Sequence, residues 1–146
     1  MTTIAVRNGY LAADKQGNIN NIRTEVSKIR KCGQFYFAIV GGVADAMLVG
    51  EWLASGAKPL MRPDLYEHNQ YGIAVKQGRV YAVEGRWPAL IEVESEYYAA
   101  GSGRDFALAA MALGKSAAEA VEFASKHDLY TGIGVDVLKY GKSKRR

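Results

Sequence analysis

An α+β domain, with two layers of sheet and helices outside them, is the architecture this sequence predicts. Three features lead to it. The periodic segments run strands, helix, strands, two helices, strand. Two tight turns, at Asn8 and Gly9 and at Gln77 and Gly78, each reverse a strand into a partner. Phe35–Val40 is an unbroken apolar and aromatic run, suited to a strand buried on both faces.

Taken in order, Thr3–Arg7 alternates as a short strand, and Asn8-Gly9 turns it back into Tyr10–Asp14. Residues 16–21 are polar and rich in turn formers, which predicts a loop, and Cys32 sits after Arg30 and Lys31 in what reads as a polar turn. Gly41-Gly42 ends the apolar run. Val43–Ala54 then has helical spacing, with Ala46, Val49 and Leu53 on one face and Asp45 and Glu51 off it. Residues 56–70, with Pro59 and Pro63, read as an irregular connection. Tyr71–Lys76 and Arg79–Glu84 form the second hairpin, Trp87-Pro88 opens another connection, and 96–100 is a short strand leading to Gly101-Ser102-Gly103. An alanine-rich helix over 104–113 is stopped by Gly114. Ser116 caps the next helix with Glu119 three positions on, and Ala117, Ala120, Val121 and Ala124 make its buried stripe. Residues 133–140 close the chain as a strand.

The 146 residues suit one domain, assigned to 1–141, and no linker or internal repeat divides them. No run approaches the roughly 20 apolar residues of a membrane span, and no secretory signal is visible, so a cytoplasmic setting is expected. One cysteine cannot form an intramolecular disulfide. The net charge of +4 comes from a basic tail, 142–146, holding Lys142, Lys144, Arg145 and Arg146; the rest of the chain is balanced. A charged tail is ordinarily solvated, whereas a nucleic-acid reader carries its charge on a folded face. Neither nucleic acid nor membrane is expected as a partner. His68 and His127 stand apart with no cysteine cluster, so no metal site or cofactor is expected. Gly101-Ser102-Gly103 lacks the spacing of a nucleophile elbow, and no phosphate-binding glycine loop is present.

The amino end remains. Removal of Met1 would leave Thr2 with a free α-amine of reference pKa about 7.7–8.0. That amine can accept the proton of its own side-chain hydroxyl, so one residue supplies nucleophile and base. With Met1 in place the amine is blocked.

Thr2-Thr3-Ile4-Ala5-Val6, a turn, and Leu11-Ala12-Ala13-Asp14 resemble the opening of proteasome β-subunits. Ser27-Lys28-Ile29 resembles their lysine-bearing segment. Ile39-Val40-Gly41-Gly42-Val43-Ala44-Asp45-Ala46 is similar to the start of the first helix in the bacterial relative HslV. Ala100-Gly101-Ser102-Gly103 and Asp128-Leu129-Tyr130-Thr131-Gly132 resemble two further family segments, all in the family's order. The resemblance implies a compact variant of the N-terminal-nucleophile (Ntn) hydrolase fold: a four-layer αββα sandwich of two antiparallel sheets flanked by helices. One helix of the first helical layer is expected to be shortened or missing, because residues 58–70 are broken by proline.

The resemblance also implies roles. Thr2 would be the nucleophile, Lys28 its charged neighbour, and Asp14 the group that holds Lys28 charged and oriented. Ser102, Asp128 and Thr131 would position the terminal amine and a water, with backbone N–H groups at the end of Phe35–Val40 as oxyanion hole. Ala38 stands where the family has glycine, which raises the question of altered oxyanion geometry or access. The implied activity is threonine-type peptidase action on peptide or unfolded-protein substrates in a homo-oligomeric ring, with an ATP-dependent unfoldase as partner. A non-catalytic self-assembling or binding module on the same fold, and a stand-alone Ntn amidohydrolase acting on a small amide, are the alternative readings. Singly, each residue has an ordinary role as well: Asp14 as turn former, Lys28 as surface lysine, Ser102 as turn residue, Asp128 as helix end.

Overall fold

The computed structural model describes residues 2–66 and 71–141, with the Tyr71 side chain excluded; Met1, His68 and the basic tail lie outside the described residues. The chain opens with the predicted hairpin of β1 (Thr3–Arg7) and β2 (Tyr10–Asp14), in register Ile4↔Ala13 to Arg7↔Tyr10. Its two-residue turn has positive φ at both Asn8 and Gly9, which matches the right-handed twist of the strands.

A second hairpin, β3 (Gln16–Ile19) with β4 (Ile22–Glu25), occupies the stretch read as a loop. Asn20 and Asn21 both take positive φ there, so the residues read as loop formers are the turn of a polar hairpin. The supposed polar turn around Cys32 is likewise a short edge strand, β5 (Arg30–Cys32), paired with β6 (Phe35–Val40). Then come α1 (Val43–Ala54), a single 3-10 turn at Pro59–Met61, and the hairpin β7 (Tyr71–Lys76) with β8 (Arg79–Glu84). The connection after Pro88 contains β9 (Ala89–Glu92), followed by β10 (Tyr97–Gly101). α2 (Arg104–Ala112), α3 (Ala117–Ser125) and β11 (Val135–Lys139) complete the chain. The Ser116–Glu119 capping box forms in both directions, at 3.0 and 3.1 Å.

Besides the two-stranded β3-β4 hairpin, two larger antiparallel sheets result, in strand orders β10-β1-β2-β11 and β5-β6-β7-β8-β9. The alternation of side chains sorts the core into three clusters. Phe35, Phe37 and Ile39 of β6 pack with Val49, Trp52 and Leu53 of α1. Ala5, Ala12 and Ala99 pack with α2 and α3 through Ala107, Met111, Ala120 and Val121, and the many alanines let the helices lie close. Ile4, Val6, Leu11 and Ala13 of one sheet meet Ala38, Ile73 and Val75 of the other.

The connection after α1 is short but anchored. Leu65 is buried in the α1 cluster, its N–H donates to Arg86 O at 3.0 Å, and Arg86 forms a forked pair with Asp64 at 2.6 and 3.1 Å. Asp45, placed by its spacing off the apolar face, is buried instead. Its carboxylate accepts the Tyr66 N–H at 2.8 Å, so a first-turn acid of α1 ties down this connection. Among the described residues α1 is the one α-helix packed on the β5–β9 sheet.

Ile73, fully buried where the two sheets meet, gives a direct test of that contact. Ile73→Ala should cost about 2–5 kcal/mol in chemical denaturation. A loss well under about 1 kcal/mol would mean that this site is not close-packed.

Candidate active site

Thr2 precedes β1 and is buried. Its carbonyl accepts the Ser102 N–H at 2.8 Å, joining the first residues to the turn after β10. The glycines flanking Ser102 follow from this closeness. Gly101 has φ near +104°, and a Cβ there would overlap the Thr2 carbonyl oxygen; one at Gly103 would overlap Thr3 Oγ1. The Gly-Ser-Gly turn is therefore the seat on which the amino end rests.

Asp14, at the end of β2, has no exposed surface and collects four donors. Oδ1 accepts Thr3 N–H at 3.0 Å and Lys28 Nζ at 2.9 Å; Oδ2 accepts Gly132 N–H at 3.1 Å and Gln16 N–H at 3.2 Å. Lys28 is nearly buried, with its side chain 10% exposed. Burial pushes its ammonium below the usual lysine pKa, although the hydrogen bond and charge of Asp14, and the charge of Asp128, pull the other way. The hydrogen bond and charge of Asp14 favour the charged form of Lys28, as expected of its partner, while burial works against it. Lys28 gives up its proton more readily than a free lysine.

Ser102, Asp128 and Thr131 form a second array. Ser102 Oγ and Thr131 Oγ1 each donate to Asp128 Oδ2 at 2.5 Å. Since the Thr131 proton goes to that carboxylate, the 2.7 Å contact between Thr131 Oγ1 and Thr3 Oγ1 has Thr3 as donor. The chain of bonds thus runs Thr3 to Thr131 to Asp128, with Ser102 joining from the other side.

Thr2 and Lys28 open onto a cleft of about 760 Å³, lined also by Gln16, Arg30, Val26 and the segment from Ile39 to Val43. Gly42 caps α1 with no side-chain hydrogen bond, and Gly42, Val43 and Ala46 at this uncapped helix start line the cleft. Ala38 does not line the cleft. Its methyl is fully buried between the sheets opposite Ile73, so the methyl adds to the core rather than narrowing access.

All six sequence-derived candidates, Thr2, Asp14, Lys28, Ser102, Asp128 and Thr131, thus fall in this one region. Thr3, the Gly132 N–H and Arg30 were missed. Of these, Thr3 and Gly132 lie within the segments that carry the resemblance, whereas Arg30 offered no sequence signal. His127 lies elsewhere, stacked on Phe106 at 5.2 Å between ring centroids, and no metal-binding cluster occurs among the described residues.

The architecture is the fold of proteasome subunits and HslV. The chain is similar to Thiobacillus denitrificans BPH, with TM-score 0.69 and 19% identity over 96% of this chain and 98% of that one, both in the free protein and in its complex with epoxomicin. It is also similar to eukaryotic HslV from Trypanosoma brucei, with TM-score 0.66 and 18% identity over 94% and 97% of the two chains. No protein-family model and no curated protein matches the sequence.

The depressed Lys28 pKa has a thermodynamic consequence. The unfolded chain binds that proton more tightly, so stability is lowest where both states are protonated and rises with pH between the folded pKa and 10.5. In denaturant titrations, wild type should gain stability relative to Lys28→Met as pH climbs toward 10.5. A relative loss over that range would mean the pKa is raised instead.

Proposed function

We propose that the chain is an N-terminal threonine peptidase that hydrolyses peptide bonds within a proteasome-like or HslV-like assembly. The observation that carries this reading is Thr2 buried at the head of β1, on a cleft it shares with the Lys28–Asp14 pair.

Once Met1 is removed, the Thr2 amine accepts the proton of the Thr2 hydroxyl as Oγ1 attacks the substrate carbonyl. Lys28 favours the neutral amine through its charge, and Asp14 positions Lys28. Backbone N–H groups where β6 passes into α1 stabilise the oxyanion, each such donor being worth about 2.7–4 kcal/mol in rate. The amine of the departing peptide takes the proton back, leaving an acyl-enzyme. Water, oriented by the Ser102–Asp128–Thr131 array, then hydrolyses the ester and restores Thr2.

The three core clusters support a four-layer order of α1, the β5–β9 sheet, the β10-β1-β2-β11 sheet, and α2 with α3. That layering would make residues 1–141 one domain, with 142–146 a basic tail. A homo-oligomeric ring would confine the nucleophile away from folded proteins, with an ATP-dependent unfoldase feeding it in the cytoplasm. The reduced α1 side, where a 3-10 turn follows the helix, favours one second reading, a non-catalytic module on the same fold.

Thr2→Ala should fold and assemble normally yet lower peptide hydrolysis by on the order of a thousandfold or more. Epoxomicin, the ligand of the BPH complex, should inhibit the hydrolysis by wild type. Equal hydrolysis by both proteins would overturn the peptidase reading; no hydrolysis by either would favour the module.

A further inference from the structure

We infer that Arg30 makes this cleft select peptides with an acidic side chain close to the scissile bond. The inference rests on the peptidase reading and names the substrate class of its site. Arg30 opens β5, directly opposite Phe37, and so projects from the sheet face that carries α1. It is half-buried there and lines the cleft beside Ile39, Val43 and Ala46.

Among the described residues Arg30 has no ion pair and no side-chain hydrogen bond, in contrast to the charges around it. Lys28 is held by Asp14, Lys15 is paired with Glu25 at 3.0 Å, and Asp45 accepts from Tyr66. No aspartate or glutamate among the described residues lines the cleft, while the uncapped N-terminus of α1 does. The helix dipole there adds positive potential to that of the guanidinium. A partly desolvated guanidinium without a partner is poorly satisfied, and its planar fork matches a carboxylate with two parallel hydrogen bonds. Apolar side chains of Val26, Ile39 and Val43 would flank the methylenes of a glutamate reaching that fork.

The test is a set of internally quenched peptides in which glutamate replaces glutamine at each position flanking the cleaved bond in turn. At one position glutamate should raise kcat/KM by about tenfold, the scale of one charge-assisted hydrogen bond. Arg30→Met should lose that gain, Arg30→Lys should keep part of it, and Arg30→Glu should shift the preference to lysine. Preference for glutamate at no position, or a preference that survives Arg30→Met, would overturn the inference while leaving the peptidase reading intact. If wild type cleaves none of the peptides, the peptidase reading fails. The same peptides, fluorescein-labelled, are then titrated against Thr2→Ala by anisotropy. A glutamate peptide bound about tenfold tighter than its glutamine twin, with the difference lost on adding Arg30→Met, sustains acidic selection. Equal binding of the twins overturns it.

Discussion

Four donors meet on the buried carboxylate of Asp14, and most of the site hangs from that meeting. The Thr3 N–H fixes the start of β1, the Gln16 N–H fixes the turn out of β2, the Gly132 N–H draws in the loop before β11, and Lys28 comes from the segment before β5. Burying an ionisable side chain is costly unless its hydrogen bonds are made, and these four replace the water it gives up. Removing the acceptor would leave several buried donors unsatisfied at about 1–3 kcal/mol each, so this position couples the stability of the sheet to the geometry of the cleft.

The second constraint is close approach. Gly101 and Gly103 bring the turn after β10 against the backbone of Thr2 and Thr3, where any side chain would collide. Alanines at positions 5, 12 and 99 let α2 and α3 settle onto the same sheet, and α3 delivers Asp128 and Thr131 just beyond its C-terminal end. A core of small residues is thus what carries the hydroxyl and carboxylate array to the amino end. Arg7 reinforces it from the far end of β1, donating to the carbonyls of Met111 and Lys115 at the close of α2.

Strong periodicity and explicit caps were legible in the sequence. The Asn8-Gly9 and Gln77-Gly78 hairpins, the buried β6, and the capping box of α3 all follow from residues a few positions apart. Elements with no apolar face to read were not. In β3 and β4, Ile19 and Ile22 are more than half exposed and the remaining positions are polar, so register and not burial defines the hairpin. β5 and β9 lie at the two edges of their sheet, where weak patterning is tolerated. In the site, each candidate side chain was nameable through resemblance, but the Gly132 N–H reaches Asp14 across 118 residues of sequence, a distance no local pattern spans. Nor does residue type reveal that burial outweighs the pull of Asp14 on Lys28, because that balance is set by the packed surroundings.

The central claim is that the Thr2 amine serves as base for its own hydroxyl, and one measurement bears on it most directly. Preparations carrying different fractions of retained Met1, quantified by intact mass and generated by graded treatment with a methionine aminopeptidase, are assayed for peptide hydrolysis. The account predicts a rate proportional to the fraction lacking Met1, extrapolating to zero when every chain retains it. A rate independent of that fraction would contradict it, since a blocked amine can accept no proton.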